Sequence, residues 1–69
     1  MIQVTIRFVD GSLHEFTETK DFLLRLSDLK EQGYEGKDLV NRLITDDWSV
    51  PPLFVQIKDS EIDLQIPYS

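Results

Sequence analysis

A chain of 69 residues, 41% of them apolar, has room for one domain, residues 1–69. Its stability should be modest, because a domain this short buries only about 60% of the surface its unfolded chain exposes. The absence of cysteine excludes disulfides and thiolate metal sites, and no apolar run approaches the roughly 20 residues of a membrane-spanning helix. The net charge of −6, from 13 acidic and 7 basic residues, disfavours direct contact with nucleic acid or anionic membranes, favours solubility and suits a basic partner.

Met1 leads directly into a strand-like run, with neither the basic flank nor the small-residue cleavage site of a secretory signal, so the expected compartment is cytoplasmic. In that run Ile2, Val4, Ile6 and Phe8 alternate with Gln3, Thr5 and Arg7, the period-two pattern of a half-buried strand. Asp10-Gly11 then marks a hairpin, since glycine accepts positive φ at little cost. Two registers compete. A two-residue turn centred on Asp10-Gly11 sets Leu13 opposite Phe8 on the core face and turns Phe16 outward. A three-residue turn with a bulge at Gly11 sets Phe16 opposite Val4 and turns Leu13 outward. A slip of one residue exchanges the faces, and the larger side chain of Phe16 favours the second arrangement.

Thr19 suits a helix N-cap, with Asp21 in the first turn where the helix dipole favours an acid. A helix is expected from Lys20 to Gln32, its apolar stripe formed by Phe22, Leu23, Leu26 and Leu29, with Leu24 off the stripe. Gly33 provides a left-handed C-terminal cap, beyond which Tyr34 can fold back onto the helix. A second, shorter helix is expected from Lys37 to Thr45, with Leu39, Val40, Leu43 and Ile44 on one face. Pro51-Pro52 ends any helical continuation and sets the chain extended. In the strand that follows, alternation places Leu53, Val55 and Ile57 on one face and Phe54, Gln56 and Lys58 on the other. Beyond Asp59-Ser60, Ile62, Leu64 and Ile66 alternate with Asp63 and Gln65.

The order ββααββ predicts an α+β fold: a four-stranded, mainly antiparallel sheet with both helices packed on one face. The opening hairpin followed by a helix resembles the first half of ubiquitin-like folds. That resemblance implies that the first and last strands lie side by side in parallel, the helical stretch serving as the crossover. The second helix and the closing hairpin depart from the pattern. The sequence ends Ile66-Pro67-Tyr68-Ser69, without the paired terminal glycines of a conjugated or sulfur-carrying member, so no function is carried over.

The parts of an active site are scarce. His14 is the only imidazole and reads as a surface residue of the second strand; no histidine cluster offers convergent metal ligands. Asp59, Glu61 and Asp63 alternate as at the start of a calcium loop. However, Leu64 stands where that loop needs glycine, and the hairpin context is wrong. Gly33-Tyr34-Glu35-Gly36 lies between helices and lacks the lysine of a phosphate-binding loop. No catalytic residue, cofactor or metal is therefore assigned, and the chain is expected not to be an enzyme.

Two features suggest recognition instead. Asp46-Asp47-Trp48 forms an acidic loop with the single tryptophan, which either anchors a partner or closes the end of a small core. Phe54 falls on the polar face of its strand, with Val9 and one of Leu13 and Phe16. Clustered on the open side of the sheet, such residues mark a binding or dimerisation surface. The candidate partner-binding residues are thus Phe54, Val9, Trp48, Asp46 and Asp47. The expected function is that of a non-enzymatic cytoplasmic interaction module whose partner is a protein, a second copy included. The alternative is an acidic inhibitor that occupies a basic nucleic-acid-binding site, with Glu31, Glu35, Asp38, Asp46 and Asp47 as its array.

Overall fold

The computed structural model describes residues 1–45 and 48–69. Two hairpins flank a pair of helices: β1 (Ile2–Phe8), β2 (Leu13–Glu18), α1 (Lys20–Glu31), α2 (Gly36–Leu43), β3 (Pro52–Lys58) and β4 (Asp63–Pro67). The strands form one open sheet in the order β2-β1-β3-β4, and every neighbouring pair is antiparallel. The α+β class follows the hydrophobic periods. The parallel pairing of first and last strands does not occur: β1 pairs with β3, and β4 sits on the far edge. An antiparallel β1–β3 ladder puts both alternating strands in the middle of the sheet. The ubiquitin-like resemblance therefore stops at the first hairpin and helix.

The hairpin register is settled at Gly11. Its φ of 90° lies in the left-handed region. The Gly11 N–H donates to Phe8 O and the Phe8 N–H donates to Ser12 O, both at 3.0 Å, which closes a three-residue turn with a glycine bulge. Val4 then faces Phe16 and Arg7 faces Leu13. Phe16 is half-buried against the core, whereas Leu13 is 50% exposed on the opposite face.

The core lies between one sheet face and both helices. Ile2, Val4 and Ile6 of β1, Val55 and Ile57 of β3 and Ile66 of β4 meet Phe22 and Leu26 of α1 and Leu39, Val40 and Leu43 of α2. The periodic stripe accounts for the pose of α1: Leu23 and Leu29 are half-buried at its margins, and Leu24 is 64% exposed. Thr19 occupies the N-cap with extended φ and ψ, but its hydroxyl makes no capping bond; its carbonyl accepts from the Phe22 N–H instead. At the other end Gly33, with φ 94°, donates to Lys30 O at 3.0 Å, and Tyr34 N–H donates to Leu29 O at 3.2 Å. These are the two bonds of a Schellman motif. They reverse the chain so that Tyr34 packs on the core, with the Arg42 guanidinium 4.1 Å from its ring centroid.

Alternation fails at the start of β3. The β1–β3 register shifts between Arg7 and Phe8, so that Arg7 faces Phe54 while Phe8 faces Pro52. Leu53 is the extra residue, and instead of lying inward with Val55 and Ile57 it is 47% exposed. Pro52 takes the buried position. A proline at the head of a strand leaves no ladder donor missing, which makes it a suitable residue for that place.

Candidate functional site

Among the described residues, no element packs on the sheet face away from the helices, and the registers define its composition. One row across the strands reads Leu13, Arg7, Phe54 and Pro67; the next reads Glu15, Thr5, Gln56 and Gln65; the third reads Thr17, Gln3, Lys58 and Asp63. Apolar groups are confined to the first row. Exposed Val9, in the hairpin turn at the same end, extends that strip, and its N–H donates to Pro51 O at 3.1 Å. The other two rows are polar and partly bonded to one another: Gln56 Nε2 donates to Asp63 Oδ1 at 3.2 Å and Gln3 Nε2 to Glu15 Oε2 at 3.4 Å.

The charge of this face is distinctive. It holds two acids, Glu15 and Asp63, and two bases, Arg7 and Lys58, so it is neutral on a chain of net charge −6. The acidic excess lies elsewhere. Around the joint of α1 and α2, Glu35 and Asp38 border a surface depression of about 700 Å³, interleaved with Lys30 and Lys37.

Trp48 lies at the end of the core beside the apolar strip. It is half-buried, its ring tilted at 59° to that of Phe8 with centroids 5.7 Å apart. Asn41 Oδ1 accepts from both Trp48 Nε1 and Tyr68 OH, each at 3.1 Å. One amide on α2 thereby fastens the β3-leading loop and the end of β4 to the same point. Trp48 thus packs against the end of the core while staying only partly buried. Asp46 and Asp47, the acidic half of that motif, lie outside the described residues.

An open depression of about 320 Å³ beside Trp48 brings Asp10, Ser12 and His14 to one wall. These are the residue types of a nucleophile relay, but they are joined in a different order. Ser12 Oγ donates directly to Asp10 Oδ1 at 2.6 Å and the Ser12 N–H to the same oxygen at 2.9 Å. His14 packs against Phe16 with ring centroids 5.7 Å apart. A general base must lie within hydrogen-bond reach of the serine it activates. Among the hydrogen bonds of the described residues, none engages the His14 ring. The Asp10–Ser12 pair is a turn clasp, and the Ser12 hydroxyl followed by its N–H holds the Asp10 carboxyl below the ordinary 3.8. Because the folded value is the lower one, the contribution of Asp10 to hairpin stability is present above its unfolded pKa. It is lost as pH falls through the depressed folded value. Ser12→Ala should move the Asp10 titration back toward the ordinary value, a shift measurable by carboxyl NMR.

Of the residues singled out by sequence, the structure brings Phe54 and Val9 to the same end of the outer face. It sets Phe54 in one row with Leu13, Arg7 and Pro67, a grouping that depends on the registers between strands. Asn41 carried no signal in the sequence; its role depends on two residues 7 and 27 positions away. The chain matches no protein-family model, no curated protein and no solved structure. Among the described residues, no helix is long and apolar enough to cross a membrane.

Proposed function

We propose that the protein is a non-enzymatic interaction module of the cytoplasm that engages a protein partner through the outer sheet face. The observation that carries this reading is the neutral, uncovered face with its single apolar row of Leu13, Phe54 and Pro67 around Arg7. A partner that covers this row desolvates few charges, and the surrounding polar rows supply a rim of hydrogen-bonding groups, the usual anatomy of a non-obligate interface. Phe54 is the anchor: an aromatic ring, half-buried and so held in place before binding, loses little entropy on association. The scarcity of catalytic parts in the sequence supports a binding role over a chemical one.

An acidic inhibitor of a basic site draws less support. Its array needs carboxylates massed on one surface, whereas Lys30 and Lys37 stand among Glu35 and Asp38. Salt would separate the two readings, because a carboxylate array on a basic site weakens with ionic strength whereas an apolar row on a neutral face does not. Phe54→Ser should leave the circular dichroism spectrum unchanged and weaken partner association by roughly 2 kcal/mol or more, about thirtyfold in Kd. Unchanged association with an intact fold would remove the outer face from consideration.

A further inference from the structure

The two edges of the sheet differ in a way that the outer face does not reveal. In an antiparallel ladder, residues alternate between those that bond to one neighbour and those that face away from it. At β4 the bonds of Asp59 N–H to Ile62 O and Tyr68 N–H to Leu53 O fix this alternation. Leu64 and Ile66 face β3, and Asp63, Gln65 and Pro67 face outward. Proline has no N–H, so this edge is blunted at one of its three outward positions. At β2 the closing bond of Phe8 N–H to Ser12 O fixes the alternation likewise. His14, Phe16 and Glu18 face β1, and Leu13, Glu15 and Thr17 turn their N–H and C=O groups outward. The β2 register runs from Leu13 to Glu18 without proline or bulge, and among the described residues its outward N–H and C=O groups have no ladder partner.

We propose that this edge pairs with β2 of a second copy across a two-fold axis at Phe16, which merges two sheets into one. Opposed residues in such a pairing must share a face, so only alternate registers are allowed. Centring on Glu15 would oppose two carboxylates, and centring on Thr17 would oppose His14 and Lys20. Centring on Phe16 sets His14 opposite Glu18 and Glu15 opposite Thr17, each twice. The outward backbone groups of Glu15 and Thr17 then bond to each other, and an imidazole N–H meets a carboxylate. Phe16 meets Phe16 of the second copy as a non-hydrogen-bonded pair, whose side chains approach closely. Beside this edge Phe16 and Glu18 border, with Phe22, Arg25, Leu43, Ile44 and Thr45, an open depression of about 190 Å³. Pairing would join two such depressions across the axis and cover them with aromatic rings. The proposal is independent of the outer-face reading, because it uses the sheet edge and the core-side flank.

Sedimentation over a concentration series tests it, with circular dichroism to verify folding. The wild-type chain should form a dimer. His14→Glu should raise its dissociation constant about tenfold or more, since two cross-strand pairs turn repulsive. Adding Glu18→His should restore it, and Leu24→Ala, at an exposed position of α1, should leave it unchanged. Amide exchange gives a second readout free of substitutions: Glu15 and Thr17 should gain protection as the dimer forms, and Gln65 should not. A chain that stays monomeric at the highest attainable concentration would overturn the proposal. So would a dimer indifferent to His14→Glu, or one whose Glu15 and Thr17 amides exchange freely.

Discussion

Val4→Asp should leave the chain unfolded, while Thr5→Asp, one residue along the same strand, should fold with a loss of only about 1–2 kcal/mol, from the strand preference of Asp and its place opposite Glu15. Val4 lies on the core side of a central strand, fully buried between Phe16 of β2 and Ile57 of β3. A carboxylate there loses its hydration and gains no partner, for the core cluster is wholly apolar. An unpaired buried charge costs several kcal/mol. A domain of this size has total stability of about 3–10 kcal/mol, so such a loss removes most or all of it. Thr5 is set on the outer face between Glu15 and Gln56, where an acid remains in contact with water. Circular dichroism and urea unfolding of the pair distinguish the two faces directly. Equal stability of both variants would mean that the sheet parity is wrong.

The second large effect is expected at Phe22. Its ring is fully buried and is the largest side chain in the core with negligible exposure. It belongs to the first turn of α1 and fills the space between that helix and the sheet, with the Arg25 guanidinium 5.6 Å from its ring centroid on the solvent side. Phe22→Ala removes the contact and leaves a cavity that the rigid sheet cannot close. The expected loss is about 3–5 kcal/mol, seen as a lower urea midpoint with an unchanged slope. Leu24→Ala on the same helix is the control: Leu24 is largely exposed, and its substitution should change stability by no more than about 0.5 kcal/mol. The contrast between neighbouring helical positions follows from the stripe of Phe22 and Leu26.

How far the sequence reveals such positions depends on how local the determining physics is. The faces of β1 and α1 were legible because burial repeats with the period of the element, and Ile2, Val4, Ile6, Phe22 and Leu26 follow it. The first hairpin was legible as two alternatives. Only the cost of exposing Phe16 rather than Leu13 chose between them, with Gly11 supplying the left-handed residue that the bulge requires. Leu53 was misread because alternation was carried unbroken through a site where β1 and β3 slip by one residue. The nearby prolines signalled irregular geometry without stating which residue it would eject.

Strand order was not legible at all. Whether β1 pairs in parallel with β4 or antiparallel with β3 depends on how the helices direct the chain, and neither strand's pattern records it. For the same reason the candidate surface was half visible. Phe54 and Val9 declared themselves by breaking the polar pattern, whereas the company of Leu13, Arg7 and Pro67 emerged only when the strands were placed side by side. Trp48 was read as either anchor or lid. Its bond to Asn41 and its contact with Phe8 hold it against the end of the core, and its partial exposure is compatible with either role.

The proposed function requires that the outer sheet face, and not the helical face, meet the protein's partner. Photo-crosslinking in cells tests it most directly, with p-benzoylphenylalanine placed once at Phe54 and once at Leu24, an exposed apolar position of α1. The expected result is a discrete crosslinked product from the Phe54 position, abolished when Leu13 is also changed to Asp, and none from Leu24. Equal or greater crosslinking from Leu24, or a Phe54 product indifferent to Leu13→Asp, would contradict the account.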